Sequence, residues 1–369
     1  MTKKVGVISI GLSGLMRKTG LDALEASGNN FGNMLFTSAA YEQVIGAEHI
    51  GFDFNPQKIK EQYEALFLPA ANWINTVEDW GGLASRIEDT GLPCTAVGLG
   101  AQLNSLEDKS SVKEGTKRFL KVISNQSASI GVRGEFTANV LNALGVYNVE
   151  VLGCPSIFMF GKVQKLRDLS GLDRLSIGVG PTRYVMDGIN SYNALNKQRQ
   201  LYQYAIREAD SIYYQSEQYE ISKLARLSVS DEEDKLATKY YGLHSATELS
   251  TSLLGKGKYH TSVNSWLTDV SKNDVYIGTR IHGAIAATLA GTLPILITHD
   301  NRTSELAETM AVPSISISDF NVAMLFDIPA LIEQLDFEKF NRRSELNIKK
   351  LKKFYNVNGI ENNIKLPEM

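Results

Sequence analysis

Arg280 and His282 are separated by one residue, inside the stretch Val275 to Ala290, VYIGTRIHGAIAATLA. A guanidinium offers a planar fork of donors to a carboxylate or a phosphate. An imidazole moves a proton near neutral pH. In a regular helix these positions would point about 200° apart, so they converge only if the turn stays partly extended, which Gly278 allows. Thr279 is expected to be the N-cap of the helix that follows, its hydroxyl accepting a free backbone N–H. A strand that turns sharply into a helix also aims free N–H groups and the positive end of the dipole at one spot. The stretch alone predicts a site for a small anion beside an acid–base group.

Such a pair needs a scaffold, and the rest of the chain alternates strand and helix signals, predicting parallel sheets covered by helices. In the first half, strands are expected at Val5–Ile10, Leu66–Leu68, Cys94–Gly100, Ser129–Val132 and Val149–Leu152, with a helix over Met34–Ala47. The polar stretch Gly161–Arg174 lacks periodicity and divides the chain into 1–165 and 170–335. The second half repeats the grammar: strands at Leu175–Gly178, Ser211–Tyr214, Leu293–Ile297 and Ser314–Ile317, helices at Leu195–Ala209, Glu220–Leu227 and Val263–Val270. The segment His299–Ser304 is expected to be a loop before a helix from Glu305. Residues 336–369 form a C-terminal helix and tail. The fold class is therefore α/β: two Rossmann-like domains facing across a cleft, with a C-terminal helix. Such halves seat a ligand at the carboxyl ends of their strands. Arg133, Gln215 with Glu217, Arg280 with His282, and His299 with Arg302 all lie at such ends.

Composition narrows the function. The chain has 369 residues, 43% of them hydrophobic, enough for two real cores. A net charge of −3 provides no basic field and argues against nucleic acid as partner. Cys94 and Cys154, far apart and in apolar surroundings, read as buried free thiols of a reducing compartment. No Cys/His spacing suggests a metal. The acidic run Asp231–Asp234 reads as a solvated loop or helix start. No apolar run is long enough to span a bilayer, and a cytoplasmic protein is expected. Phe337–Tyr355 is an amphipathic helix with Phe337, Phe340, Ile348, Leu351 and Phe354 on its apolar side. It reads as packed across both domains; its second reading is a contact with the inner face of a membrane.

Three stretches resemble the polysaccharide pyruvyl transferase family: Ile130–Glu135 with the closing Val151–Pro155, Gly278–Gly283, and Pro294–Ile297 running into Asp300–Arg302. Weaker echoes are Asn30–Asn33 and Gly98–Gln102, so the resemblance spans roughly residues 28 to 315. It implies a fold similar to two-domain glycosyltransferases of the GT-B type. It also implies transfer of a pyruvyl group from phosphoenolpyruvate to two hydroxyls of a sugar, giving a cyclic ketal in a cell-surface glycan or its precursor. The donor is a substrate, no cofactor or metal is called for, and the sugar acceptor is carried on a lipid or a nucleotide.

By that resemblance Arg280 and His282 match the donor-contacting pair and Arg133 an arginine of the first domain. Asn33 stands where relatives often carry aspartate, and Arg302 where many carry lysine. The expected roles are His282 as general acid–base, with His299 as the competing proton donor. Arg133 and Arg280 clamp the donor, the helix start after Thr279 holds its phosphate, and Asn30 and Arg302 add substrate contacts. Gln215 and Glu217 are placed against the acceptor. Two rival readings remain. A nucleotide-sugar glycosyltransferase would need a ribose-reading carboxylate, for which Glu305 is the candidate. A non-catalytic two-lobed binding protein would hold its ligand without turnover. A nicotinamide enzyme is disfavoured because Gly98-Leu99-Gly100 lacks a third glycine at the required spacing.

Overall fold

A computed structural model describes residues 4–182 and 192–367. The strands of the first half are β1 (Val5–Ile8), β2 (Ala47–Ile50), β3 (Ala65–Pro69), β4 (Cys94–Val97), β5 (Ile130–Val132) and β6 (Val149–Val151). β2-β1-β3-β4 form one parallel sheet and β5-β6 a second. A single parallel bridge, Leu99 to Val132, joins them. The succession 2-1-3-4, extended across that bridge, is the flavodoxin-like doubly wound order.

The second half contributes β7 (Ile177–Gly180), β8 (Ser211–Tyr213), β9 (Gly257–Lys258), β10 (Val275–Gly278), β11 (Leu293–Thr298) and β12 (Ser314–Ser316). They form one sheet in the order β12-β11-β10-β7-β8-β9, every pair parallel. Counted from β7, this is the dinucleotide-type order, in which strand order reverses between β7 and β10. Ligands bind at such a reversal, and Arg280 leaves the end of β10 there. The architecture is thus two Rossmann-like domains facing across a cleft, GT-B-like.

Several local expectations shift. The helix expected to reach Ala47 is Asn33–Gln43 and stops ahead of the β-branched Val44-Ile45, and Ala47 opens β2 instead. The helix expected from Glu305 begins at Asn301, because the Asp300 carboxylate accepts the Thr303 N–H and caps it. His299–Ser304 is therefore a strand end and a first helical turn rather than a loop. The acidic run Asp231–Asp234 is the first turn of the helix Asp231–Tyr241, closed by a capping box between Ser230 and Glu233.

The C-terminal helix is Phe337–Val357. Phe340, Ile348, Leu351 and Phe354 are buried and Phe337 half-buried. At one point Asn347 Nδ2 donates to the Thr309 carbonyl of the second half at 3.1 Å. Further on, the Tyr355 hydroxyl donates to Gln43 Oε1 of the first half at 2.7 Å, its ring 5.8 Å from Phe67. The apolar side that a lipid surface would need is covered by both domains. Among the described residues no helix is long and apolar enough to cross a membrane.

Candidate functional site

A cavity of about 100 Å³ lies in the cleft between the two halves. From the first half come Asn30, Asn33, Asn72 and Arg133. The second half supplies Gln215, Thr279, Arg280, His282, His299 and Arg302. Eight of the nine site residues expected from sequence thus border one space. The ninth, Glu217, is displaced from the wall.

Arg280 is the N-cap of the helix Ile281–Leu289, with extended backbone at φ −118° and ψ 126°. This lets the arginine and His282 point to the same place. Neither Thr279 nor Gly278 plays the part expected of it. Thr279 is buried in an extended link and its hydroxyl lies 3.4 Å from the Gly180 carbonyl, so it caps nothing. Gly278 is the last residue of β10, and a Cβ there would sit 2.5 Å from the Tyr276 hydroxyl, so the glycine makes room rather than a turn.

Glu217 explains how Arg280 is held. Its Oε1 pairs with Arg280 Nη2 at 2.8 Å, with the side chains only 1% and 11% exposed. Its Oε2 accepts the backbone N–H groups of Gln215 and Ser216 at 2.7 and 2.9 Å. Glu217 was expected to touch the acceptor; with both oxygens engaged internally it anchors the arginine instead. Gln215 remains on the wall, 1% exposed, and neither its amide nitrogen nor its oxygen has a hydrogen-bond partner. Buried amides ordinarily find partners, so this one is free to meet a ligand.

Arg133, only 3% exposed, leaves the end of β5. Nε donates to the Gly98 carbonyl at 2.9 Å and Nη1 to Asn72 Oδ1 at 2.5 Å. Among the described residues no carboxylate lies within ion-pair distance of it. Asn72 escaped the sequence reading, although it follows β3 at a strand end as the other candidates do. Arg302, by contrast, is paired with Asp300 through Nε and Nη2.

His282 is 7% exposed. Burial, reinforced by the guanidiniums of Arg133 and Arg280, pushes its imidazole down to about 3. Burial and the two guanidiniums thus hold the unliganded imidazole neutral, the form that can accept a proton. Burial also lowers His299, with Asp300 opposing and Arg302 and Arg280 assisting. Both carboxylate oxygens of Glu305 are engaged within the protein. It crosses to the first half, accepting from the Thr137 N–H at 2.7 Å and the Thr137 hydroxyl at 3.0 Å. The carboxylate considered for a nucleotide ribose thus links the two halves through Thr137. Among the described residues no cluster of potential metal ligands occurs.

Comparison at the level of families matches residues 30–301 to Polysaccharide pyruvyl transferase. The chain belongs to this family. Among curated proteins no relative matches it by sequence. Among solved structures it is similar to the S. aureus MnaA–UDP complex, with TM-score 0.50 and 13% identity over 100% of this chain and 99% of that one. It also matches a structure described as the glycotransferase of kitacinnamycin, with TM-score 0.38 and 9% identity over 95% of each chain. The first likeness bears on fold alone. Family membership makes the protein a transferase of polysaccharide modification, and the cavity is where the two halves of this pyruvyl transferase homologue bring their polar groups together.

Proposed function

We propose that the protein transfers the pyruvyl group of phosphoenolpyruvate to two hydroxyls of a sugar, forming a pyruvate ketal and releasing phosphate. The observation that carries this reading is Arg133, a buried cation with only neutral partners on the wall of a cavity sized for a small acid. A buried charge without a direct ion-pair partner costs several kcal/mol, and Glu305 acts on Arg133 only from a distance. A small polyanion seated there supplies the direct counter-charge, and Arg280, already oriented by Glu217, closes on it from the other half.

In the reaction the methylene carbon gains a proton and the neighbouring carbon forms a bond to a sugar oxygen. The C–O bond to phosphate then breaks as the second hydroxyl closes the ketal. Of the two hydroxyl protons, one ends on the new methyl group and the other leaves with phosphate. His282 handles the first of them. The negative charge of the donor offsets the two guanidiniums that depress its imidazole, so proton affinity rises when the donor is bound. Gln215, Asn30 and Asn72, neutral and polar, suit the hydroxyls of the acceptor.

The test is a thermal-shift comparison of phosphoenolpyruvate with common nucleotide sugars. Phosphoenolpyruvate at 100 times its Kd stabilises the fold by about 2.7 kcal/mol without any nucleotide sugar present. Protection by a nucleotide sugar with none from phosphoenolpyruvate would replace this reading with glycosyl transfer.

A further inference from the structure

We infer that Cys154 and Ser156 are positioning residues that hold His282 with its proton on Nδ1, the ring edge turned toward Gly32 and Asn30. The kinetic consequence rests on the pyruvyl-transfer reading; the tautomer itself is a property of the unliganded protein. Cys154 Sγ lies 3.9 Å from His282 Nε2 and 2.9 Å from Ser156 Oγ. All three side chains are buried. On the other edge, the point that a Cβ on Gly32 would occupy is 2.6 Å from His282 Nδ1 and 3.0 Å from Asn30 Oδ1. Asn30 lines the cavity, so Nδ1 is the nitrogen on the ligand's side.

The hydrogens decide the tautomer. Ser156 and Cys154 carry one each, and among the described residues neither side chain has a further hydrogen-bond partner. If Ser156 donates to Sγ and the thiol donates to Nε2, both hydrogens are used. If Nε2–H donates to sulfur instead, one buried hydrogen is left without an acceptor: that of Ser156 when the thiol donates to it, or the thiol's own when Ser156 donates to sulfur. Only the first order pairs every hydrogen of the cluster, so it is the favoured one. An accepting Nε2 places the ring proton on Nδ1. Sulfur accepts as well as donates, so it can also receive an Nε2–H when the loaded cavity protonates the ring. The thiol, read from sequence as a buried free thiol, thereby keeps Nδ1–H aimed at the donor in both states.

The experiment uses the full chain labelled with 15N-histidine at neutral pH. The protein has five histidines, and His282→Gln assigns the resonance. The wild type is expected as the Nδ1–H tautomer, Cys154→Ser retains it, and Cys154→Ala moves it toward Nε2–H. With phosphoenolpyruvate and an acceptor, Cys154→Ala loses about 10-fold or more in kcat, within the span of acid–base effects, with KM for the donor little changed; Cys154→Ser keeps most of kcat. An Nε2–H wild type, or an unaltered tautomer in Cys154→Ala, overturns the inference. Should Cys154→Ala fail to fold, Ser156→Ala carries the same test, because it removes the donor that orients the thiol. Absence of any pyruvyl transfer would refute the functional reading but leave the tautomer result to decide this one.

Discussion

The two arginines best placed to grip a ligand are housed in opposite ways. Arg280, from the second half, is tied to a buried carboxylate that is itself tied to two backbone N–H groups. Arg133, from the first half, leans only on a carbonyl and an amide oxygen. The sheets differ in parallel. The six-stranded sheet of the second half is continuous, whereas that of the first is split between β4 and β5, where one bridge joins the pieces. Arg133 leaves β5 at this split and reaches back to Gly98 beyond β4. The second half therefore presents a finished, charge-balanced anchor, and the first presents a cation whose balance comes with the ligand.

The largest effect expected on stability is at the anchor. Arg280→Ala strands Glu217 as an unpaired buried charge and should cost about 3–5 kcal/mol in denaturant unfolding, besides abolishing pyruvyl transfer. A loss under 1 kcal/mol would show that the pair is not the anchor described.

Protonation extends the contrast. The cationic neighbours help hold His282 at about 3, while burial and the adjacent Glu217 raise Glu220 to about 7. Between pH 6.5 and 3 the unfolded chain binds the proton that folded His282 refuses, so this group destabilises the fold as pH falls. Between pH 7 and 4.5 folded Glu220 keeps a proton that the unfolded chain releases, so that group stabilises as pH falls. Each slope is about 1.4 kcal/mol per pH unit, and they oppose one another. Glu220→Gln removes the compensation: from pH 6.5 to 4.5 it should lose about 3 kcal/mol relative to wild type. His282→Gln should change in the opposite sense, as read by urea midpoints across pH.

A smaller stability effect is expected at Gly32, where the first half touches His282. Gly32→Ala places a methyl 2.6 Å from Nδ1. Displacing the ring costs about 1–3 kcal/mol and should suppress turnover more than donor binding; unchanged kcat would place the reactive edge elsewhere. The smallest stability change belongs to Arg133→Met. Replacing an unbalanced buried charge by an apolar side chain of similar length should leave the unliganded melting temperature equal or higher. The rise given by phosphoenolpyruvate should vanish. A destabilisation like that of Arg280→Ala would erase the distinction between the two arginines.

Local chemistry in the chain set a good deal. The alternation of apolar runs, glycine stops and capping residues marked nearly every strand that carries a cavity residue, because periodicity and turns are properties of neighbours in sequence. The strand-end rule then pointed to Arg133, Gln215, Arg280, His282, His299 and Arg302, and these residues share one cavity. Spatial neighbours settled the rest. Glu217 turned out to serve Arg280, Glu305 to join the domains through Thr137, and Cys154 to face His282 from 128 positions away. Whether the amphipathic side of the last helix would meet lipid or protein was likewise open until Asn347 and Tyr355 were seen touching different halves. Counter-ions, burial and tautomers depend on which strands lie side by side. No short window of residues encodes that order, because it follows from how two sheets and one long helix bury their apolar faces together.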